Sequence, residues 1–304
     1  MSDRDPIIIS VGGGKGGVGK STISSNLGAA LVRRGYSVGY IDADLGGANL
    51  HTCLGMRRPA ATLQNFMTGE RKSLSDVAVE TPVPNTWLIS GAGDFLELAN
   101  PNFGQKQKIL NGIRNLEADF IIVDLGAGSH TIVSDFFAAF PHNITVTDCL
   151  PTSVENAYGF LKSGIFRGLM RLFPGREDIR RLIKAYTSPK SGKDAPTLDN
   201  MFAQMRVRFP EEVGAMSGWL EGRKLFLVLN MVRGPEEIAV GEGFTGIVQK
   251  YLSVPLHYIG YLIYTPEIRQ SLCRLGPAIV QNNPQVAECF NAITRNLIAL
   301  SDNG

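Results

Sequence analysis

Short apolar runs rich in Ile and Val alternate along the chain with longer stretches whose apolar positions recur every three or four residues. "PIIISV" (6–11) has the pattern of a buried strand ending at glycines. In "STISSNLGAALVRRG" (21–35), Ile23, Leu27, Ala30 and Leu31 have helical spacing, arginines close the last turn and Gly35 stops it. "SVGYIDAD" (37–44) is the next strand. Further strands are expected at 86–90, 119–128, 143–147, 224–230 and 255–262. Helices are expected at 103–116, from near Ser153, and from about Pro284, where Val286, Phe290, Ile293, Leu297 and Leu300 share a face. Strand–helix–strand alternation of this kind predicts an α/β fold, a doubly wound and mostly parallel sheet.

One stretch breaks the rhythm. Between the helix near Ser153 and the strand at Lys224 there is more sequence than one crossover needs. "REDIRRLIKAY" (176–186) and "LDNMFAQMRVRF" (198–209) look helical around a polar loop, "TSPKSGKDAPT" (187–197). The chain is therefore expected to be one domain, 1–304, with a helical insertion at about 174–223. From Asn156 to Pro210 there are eleven Lys/Arg and four Asp/Glu, a local charge of +7, which leaves −5 for the rest of a chain whose net charge is +2. "FLKSGIFRGLMRLF" (160–173) adds Lys162, Arg167 and Arg171 to an apolar helical face. Such a helix suits a core position with extended arginines, a protein partner, an anionic membrane or DNA phosphates.

Composition narrows the class. Apolar residues are 44% of the 304 and charged residues 19%, enough for a sizeable core and too little charge for a disordered chain. Cys53, Cys149, Cys273 and Cys289 form no C-x-x-C pair, which disfavours a local zinc or iron–sulfur site and suits a reducing compartment. "MSDRDP" followed by a five-residue apolar run is no secretion signal, and no apolar run approaches about 18 residues. The expected compartment is the cytoplasm.

The chemistry is concentrated at "GGGKGGVGKST" (12–22). Gly14-x-x-x-x-Gly19-Lys20-Ser21, between a strand and a helix, is a phosphate-binding loop. Backbone N–H groups from Gly14, Gly16, Gly17, Val18 and Gly19 would cradle phosphate oxygens at the positive end of the following helix. Lys20 would bridge the β- and γ-phosphates of a nucleoside triphosphate, Ser21 would ligate Mg²⁺ and Thr22 would bond the α-phosphate. Asp124, after the apolar strand "FIIV", supplies the carboxylate that holds Mg²⁺ through water. Gly126 and Gly128 behind it can turn an N–H to the γ-phosphate. Asp42 and Asp44, alternate residues at a strand end, can face one pocket, one in the Mg²⁺ shell and the other orienting the attacking water.

A second lysine, Lys15, opens the glycine run. "KGGVGKST" is similar to the deviant Walker A motif of the MinD/ParA ATPase superfamily. "DADLGGANLHTCLG", "VDLGAG", "LPTSVENAYGFLK", "GYLIYTPEIRQSL" and "GPAIV" resemble segments of its MinD/FlhG branch. The resemblance spans the chain except about 174–223. It implies that Lys15 reaches the nucleotide of the partner in an ATP-sandwiched homodimer, that Asp44 positions water, that Asp124 holds Mg²⁺ water, that Gly126 senses the γ-phosphate, and that Asn230 lies near adenine. ATP/ADP and Mg²⁺ are the implied ligands.

The chain also departs from that branch. Gly47 and His51 replace the usual leucine and aspartate, Leu150 stands where a glutamate is usual, and Tyr264-Thr265 interrupts an I-P-x-D loop. The ends show neither MinD's basic tail nor an FlhG-like activating helix. The resemblance implies a slow ATPase that works as a dimerisation switch placing flagella, division sites or another polar structure, cytoplasmic or peripheral at the membrane or cell pole. It would act with a protein activator or cargo of unknown identity. A ParA-like partitioning ATPase on non-specific DNA, with the basic insertion as its contact, is the alternative. An iron–sulfur carrier on the same fold is a third reading, which the cysteine spacing disfavours.

Overall fold

A computed structural model describes residues 5–45, 47–92, 101–187, 197–277, 279 and 283–301. Its strands are β1 (Ile7–Gly13), β2 (Val38–Asp42), β3 (Val79–Glu80), β4 (Thr86–Ile89), β5 (Phe120–Ala127), β6 (His142–Thr147), β7 (Lys224–Val232) and β8 (Leu256–Ile263). They form one sheet in the order β3-β4-β2-β5-β1-β6-β7-β8, parallel throughout except for β3, which runs antiparallel to β4. The strands expected from sequence are all present. β3, only two residues long at the sheet edge, carries too little pattern to be read in advance.

Alternation along the strands divides the interior in two. Ile121, Val123 and Leu125 of β5 join one core, whereas Phe120 and Ile122 join the other. The second core is closed by α1 (Lys20–Val32), α2 (Leu50–Cys53) and α12 (Pro284–Ser301). The first lies under α3 (Leu63–Met67), α4 (Phe103–Arg114), α5 (Thr131–Ala139), α6 (Pro151–Arg171) and α10 (Pro235–Leu252). α7 (Glu177–Ala185), α8 (Leu198–Arg206) and α9 (Pro210–Glu221) fill the extra stretch and add Ile179, Ile183, Met201, Met205 and Met216 to that core. The loop expected at 187–197 falls, for 188–196, outside the described residues. α11 (Pro266–Cys273) follows β8.

α6 is a core helix. Phe160, Leu161, Ile165, Phe166 and Leu169 are buried, and its two arginines, Arg167 and Arg171, turn to a neighbour. Arg167 Nε lies 2.6 Å and Arg171 Nη1 3.8 Å from Asp135 of α5, which Lys106 of α4 also contacts at 2.6 Å. Of the positions that suggested a membrane or DNA contact on this helix, two arginines are thus engaged inside the fold. No helix among the described residues is long and apolar enough to cross a membrane.

Candidate functional site

β2, β5 and β1 are neighbours, and their carboxyl ends carry the sequence-predicted residues. Asp42 is the register partner of Asp124, which is also the partner of Val11, three residues before Gly14. Beyond these ends lies a pocket of about 470 Å³. It brings together Gly16, Gly17, Gly19, Lys20, Ser21, Thr22, Asp42, Asp44 and Asn230 from the predicted set. Gly14, Val18, Asp124 and Gly126 do not line it. The exposed side chain of Lys15 lies outside it.

The loop's shape follows from its glycines. Gly17 and Gly19 have φ of +82° and +90°, a region that costs a side chain about 1–2 kcal/mol. Gly19 is also the cap residue of α1, so the helix opens with its N–H groups directed at the pocket. At Gly14 the limit is space: a Cβ would overlap the backbone of Asn156 in α6. Val18 is buried, and its carbonyl accepts a 2.7 Å hydrogen bond from Asn230 Nδ2.

Lys20 is nearly buried and donates to the Lys15 carbonyl at 3.5 Å. Burial pulls its pKa down, against the opposing pull of Asp124 and Asp44. A buried ammonium among backbone dipoles calls for an anion, and phosphate fits the loop that surrounds it.

Asp124 accepts from Ser21 Oγ at 2.6 Å and from Ser24 Oγ at 2.9 Å, one serine on each carboxylate oxygen. Asp42 accepts backbone N–H bonds from Asp44 at 3.2 Å and Leu50 at 3.0 Å. It therefore anchors the turn that follows β2, in addition to lining the pocket. Both carboxyls are deeply buried. Burial raises the Asp42 pKa well above the usual range, with Asp124 adding to it, and pushes Asp124 up to about 6 despite its serine donors. Two neighbouring desolvated carboxylates fit a hard divalent cation, and the donors are all oxygen. Among the described residues no cluster of three or more His, Cys, Asp or Glu side chains could hold a metal by itself. A Mg²⁺ here would need phosphate oxygens and water to complete its shell, as this ion prefers.

The Asp44 carboxylate lies against Gly126: a Cβ built there would stand 3.1 Å from Asp44 Oδ1. Gly128, with φ of +86°, donates its N–H to the Gly13 carbonyl at 3.2 Å. The turn after β5 thus rests on the phosphate loop itself.

Sequence reasoning missed several residues. Ser24 lies one helical turn after Ser21 on α1, a spacing that signals a shared face. Met231, Ile263, Tyr264, Ile268, Arg269 and Leu272 form the far wall of the pocket, from the ends of β7 and β8 and from α11. The position of that wall, beyond the ends of strands two and three places from β1, follows from sheet order, which sequence does not give. Cys53 also lines the pocket, but burial, with Asp124 and Asp42, pushes its thiol up to about 12, so it is not a thiolate ligand near neutral pH. His51 is half-buried and its pKa is lowered by burial and by Arg58.

The sequence profile of the ParA family, described as NUBPL iron-transfer P-loop NTPase, matches residues 6–90. The antiactivator FleN of Pseudomonas aeruginosa is 26% identical over 275 residues, covering 90% of this chain and 79% of FleN. The septum site-determining protein MinD of Buchnera aphidicola is 32% identical over 238 residues, covering 75% of this chain and 86% of that protein. In fold, the chain is similar to the septum site-determining protein MinD of Pyrococcus horikoshii, solved as a complex with Mg-ADP. The TM-score is 0.64 over 97% of this chain and 96% of that one, at 21% identity.

Proposed function

The chain belongs to the MinD/ParA family of P-loop ATPases, and from that premise we propose that it is a Mg²⁺-dependent ATPase whose ATP-bound form is a homodimer that serves as a spatial switch. The observation that carries the proposal is the contrast between its two loop lysines. Lys20 is buried at the base of the pocket, while Lys15 stands exposed on the rim with only its carbonyl turned to Lys20. A lysine so placed is available to the phosphates of a nucleotide held by a second copy.

In this reading the N–H groups of Gly16 to Gly19 and the start of α1 hold the triphosphate. Lys20 neutralises the β- and γ-oxygens, and the Thr22 hydroxyl meets the α-phosphate. Ser21, Asp124 and Asp42 would hold Mg²⁺, and the ion would supply positive charge against that developing on the transferred phosphoryl group. Asp44, beside Gly126, orients the attacking water, and the Gly126 N–H meets the γ-phosphate. Asn230 braces the loop near the base. Lys15 adds its charge across the interface, so that hydrolysis is complete only in the dimer. The unit is a single domain, 1–304, with its helical insertion at about 174–223. It works from the cytoplasm, at the membrane or a cell pole, in placing a cell structure with an activator or cargo protein.

The test is mass in solution with Mg²⁺ and either ADP or ATP. The wild type is expected to dimerise with ATP only, Asp44→Ala to stay dimeric because hydrolysis stops, and Lys15→Ala to remain monomeric. Three monomers, each with ATP bound, would overturn the switch.

A further inference from the structure

Resting on the ATPase reading, we propose that Arg223, which lies outside the pocket, is a positioning residue for hydrolysis. It clamps the far end of α5 to β1 and so fixes the turn after β5 against the phosphate loop. Arg223 lies in the two-residue link between α9 and β7 and is buried, with 7% of its surface exposed. Among the described residues it forms no ion pair, and burial alone acts on its pKa, downward. A buried cation without a counter-charge is unfavourable, so the dipoles around it must compensate. Nη1 donates to the Ala138 carbonyl at 3.1 Å. Nη2 donates to the Phe137 carbonyl at 2.6 Å and to Asn143 Oδ1 at 2.7 Å. Phe137 and Ala138 belong to the last turn of α5, whose carbonyls have no partner within the helix and carry the negative end of its dipole. Asn143, on β6, donates through Nδ2 to the Phe137 carbonyl at 3.0 Å and to Ser10 Oγ on β1. The rings of Trp219 and Phe137, with centroids 4.4 and 5.5 Å from the guanidinium carbon, hold it in place.

The other end of α5 is tied to the same strand. The helix begins at Thr131, and Gly128, three residues earlier, donates to the Gly13 carbonyl at 3.2 Å. α5 is therefore braced on β1 twice, at Ser10 through Asn143 and Arg223, and at Gly13 beside the phosphate loop. Gly126, whose N–H meets the γ-phosphate in this reading, precedes the second brace by two residues and abuts the Asp44 carboxylate. Releasing the Arg223 brace lets the nine-residue helix tilt about the Gly128 end, and the segment from Gly126 to His130 shifts with it. Holding phosphate on the loop of Gly16 to Thr22 does not depend on that segment. The geometry of water, Asp44 and γ-phosphate does.

Single-turnover ATP hydrolysis and calorimetric ADP binding, both with Mg²⁺ and the full chain, test this at a temperature where circular dichroism shows each variant folded. Arg223→Met removes the charge at similar volume, and Arg223→Lys keeps the charge without the planar fork that spans α5 and Asn143. Both are expected to slow hydrolysis by roughly ten- to a hundredfold, the effect of a small misplacement in a site, with ADP affinity within about twofold of wild type. Ser10→Ala cuts only the last link to β1 and should slow hydrolysis in the same direction by less. If the variants lose stability and hydrolyse at the wild-type rate, Arg223 is structural only and the proposal falls. It falls also if ADP binding is lost in step with the rate, since the whole site is then disturbed. Hydrogen exchange gives a readout without turnover. Arg223→Lys should speed exchange from Gly126 to His130 as well as at the end of α5, and a change confined to the last turn of α5 overturns the proposal. Should both Arg223 variants fail to fold, Ser10→Ala decides by the same measures. A wild type that binds Mg-ATP without ever hydrolysing it sinks the ATPase reading instead, and exchange still decides whether the clamp reaches the turn.

Discussion

Ser21 and Ser24 divide the two oxygens of Asp124 between them, and this division sets the direction in which the carboxylate points. Ser21 is at the pocket surface and would exchange part of its environment for a metal ion. Ser24 is fully buried and has no such alternative. It is a positioning residue: its hydroxyl holds Oδ1, so that Oδ2 stays aimed at Ser21. Removing a partner behind a metal ligand typically costs 10–100-fold in metal affinity. Ser24→Ala is expected to raise the Mg²⁺ concentration needed for half-maximal ATPase activity by roughly tenfold, with ADP binding in the absence of Mg²⁺ unchanged. Mn²⁺ binding followed by paramagnetic resonance checks the same shift without turnover. Ser24→Thr, which keeps the hydroxyl, should recover most of it. At this scale the sequence was informative where a motif fixes spacing, as from Gly14 to Thr22 and at Asp42, Asp44 and Asp124. It was silent where the partner lies 100 residues away, as Asp124 does from Ser24.

Among the helices, α4, α5 and α6 are tied at one carboxylate. Asp135 is buried, and burial alone would raise its pKa. The hydrogen bonds from Arg167 and Lys106 outweigh this and hold it below the usual carboxylate range. Taking the carboxylate away leaves Lys106, Arg167 and Arg171 facing one another. Breaking a buried pair costs about 3–5 kcal/mol, and the arginines' partial exposure reduces this, so Asp135→Ala should lower unfolding free energy by about 2–3 kcal/mol. Urea denaturation reads the loss, and nucleotide affinity should not change. The same helices show what the apolar pattern could and could not convey. The amphipathic face of α6 was legible, but whether its arginines faced lipid, DNA or an aspartate was not, because Asp135 belongs to another element. α5 gave no helical signal: Val133 to Ala138 are all buried, so no polar stripe marks a face. α10 was hidden by glycines at 241, 243 and 246, which lower helix propensity by about 1 kcal/mol each. It packs on β7 and β8, and also on α6 and α8.

For the molecule as a whole, the two central carboxyls make the nucleotide-free protein pH-sensitive. Asp124 titrates near 6 in the folded state, against roughly 3.9 when unfolded. The folded state therefore binds protons more readily than the unfolded chain. The stability gained is full below about pH 4 and is lost as pH rises through 6. Asp135 has the opposite sign, since its depressed pKa adds stability that disappears only as pH falls below the ordinary carboxylate range. The windows do not overlap. Without nucleotide or metal, the urea midpoint is expected to rise as pH falls from 7.5 to 5, and Asp124→Asn should flatten that rise. Mg²⁺ with ADP should flatten it too, by supplying the opposing charge. If the midpoint of the wild type is level across this interval, the buried carboxyls are already compensated and the cation-site reading loses its electrostatic support. Fold class was legible from strand alternation, since buried parallel strands appear as Ile/Val runs between helical periods. The order of strands, and with it the far wall of the pocket, depends on pairings between distant segments that no local pattern carries.

The row formed by Val11, Asp124 and Asp42 across β1, β5 and β2 has a consequence for how this chain can vary. Side chains alternate between the faces of a strand, so a slip of one residue moves every one of them to the other side. A single-residue deletion between 38 and 42, or between 120 and 124, would turn a carboxyl away from the phosphate loop and leave all the motif's letters intact. The loops and the outer helices α7 to α9 can gain or lose length without that penalty. In these strands it is the residue count, more than residue identity, that inheritance has to preserve.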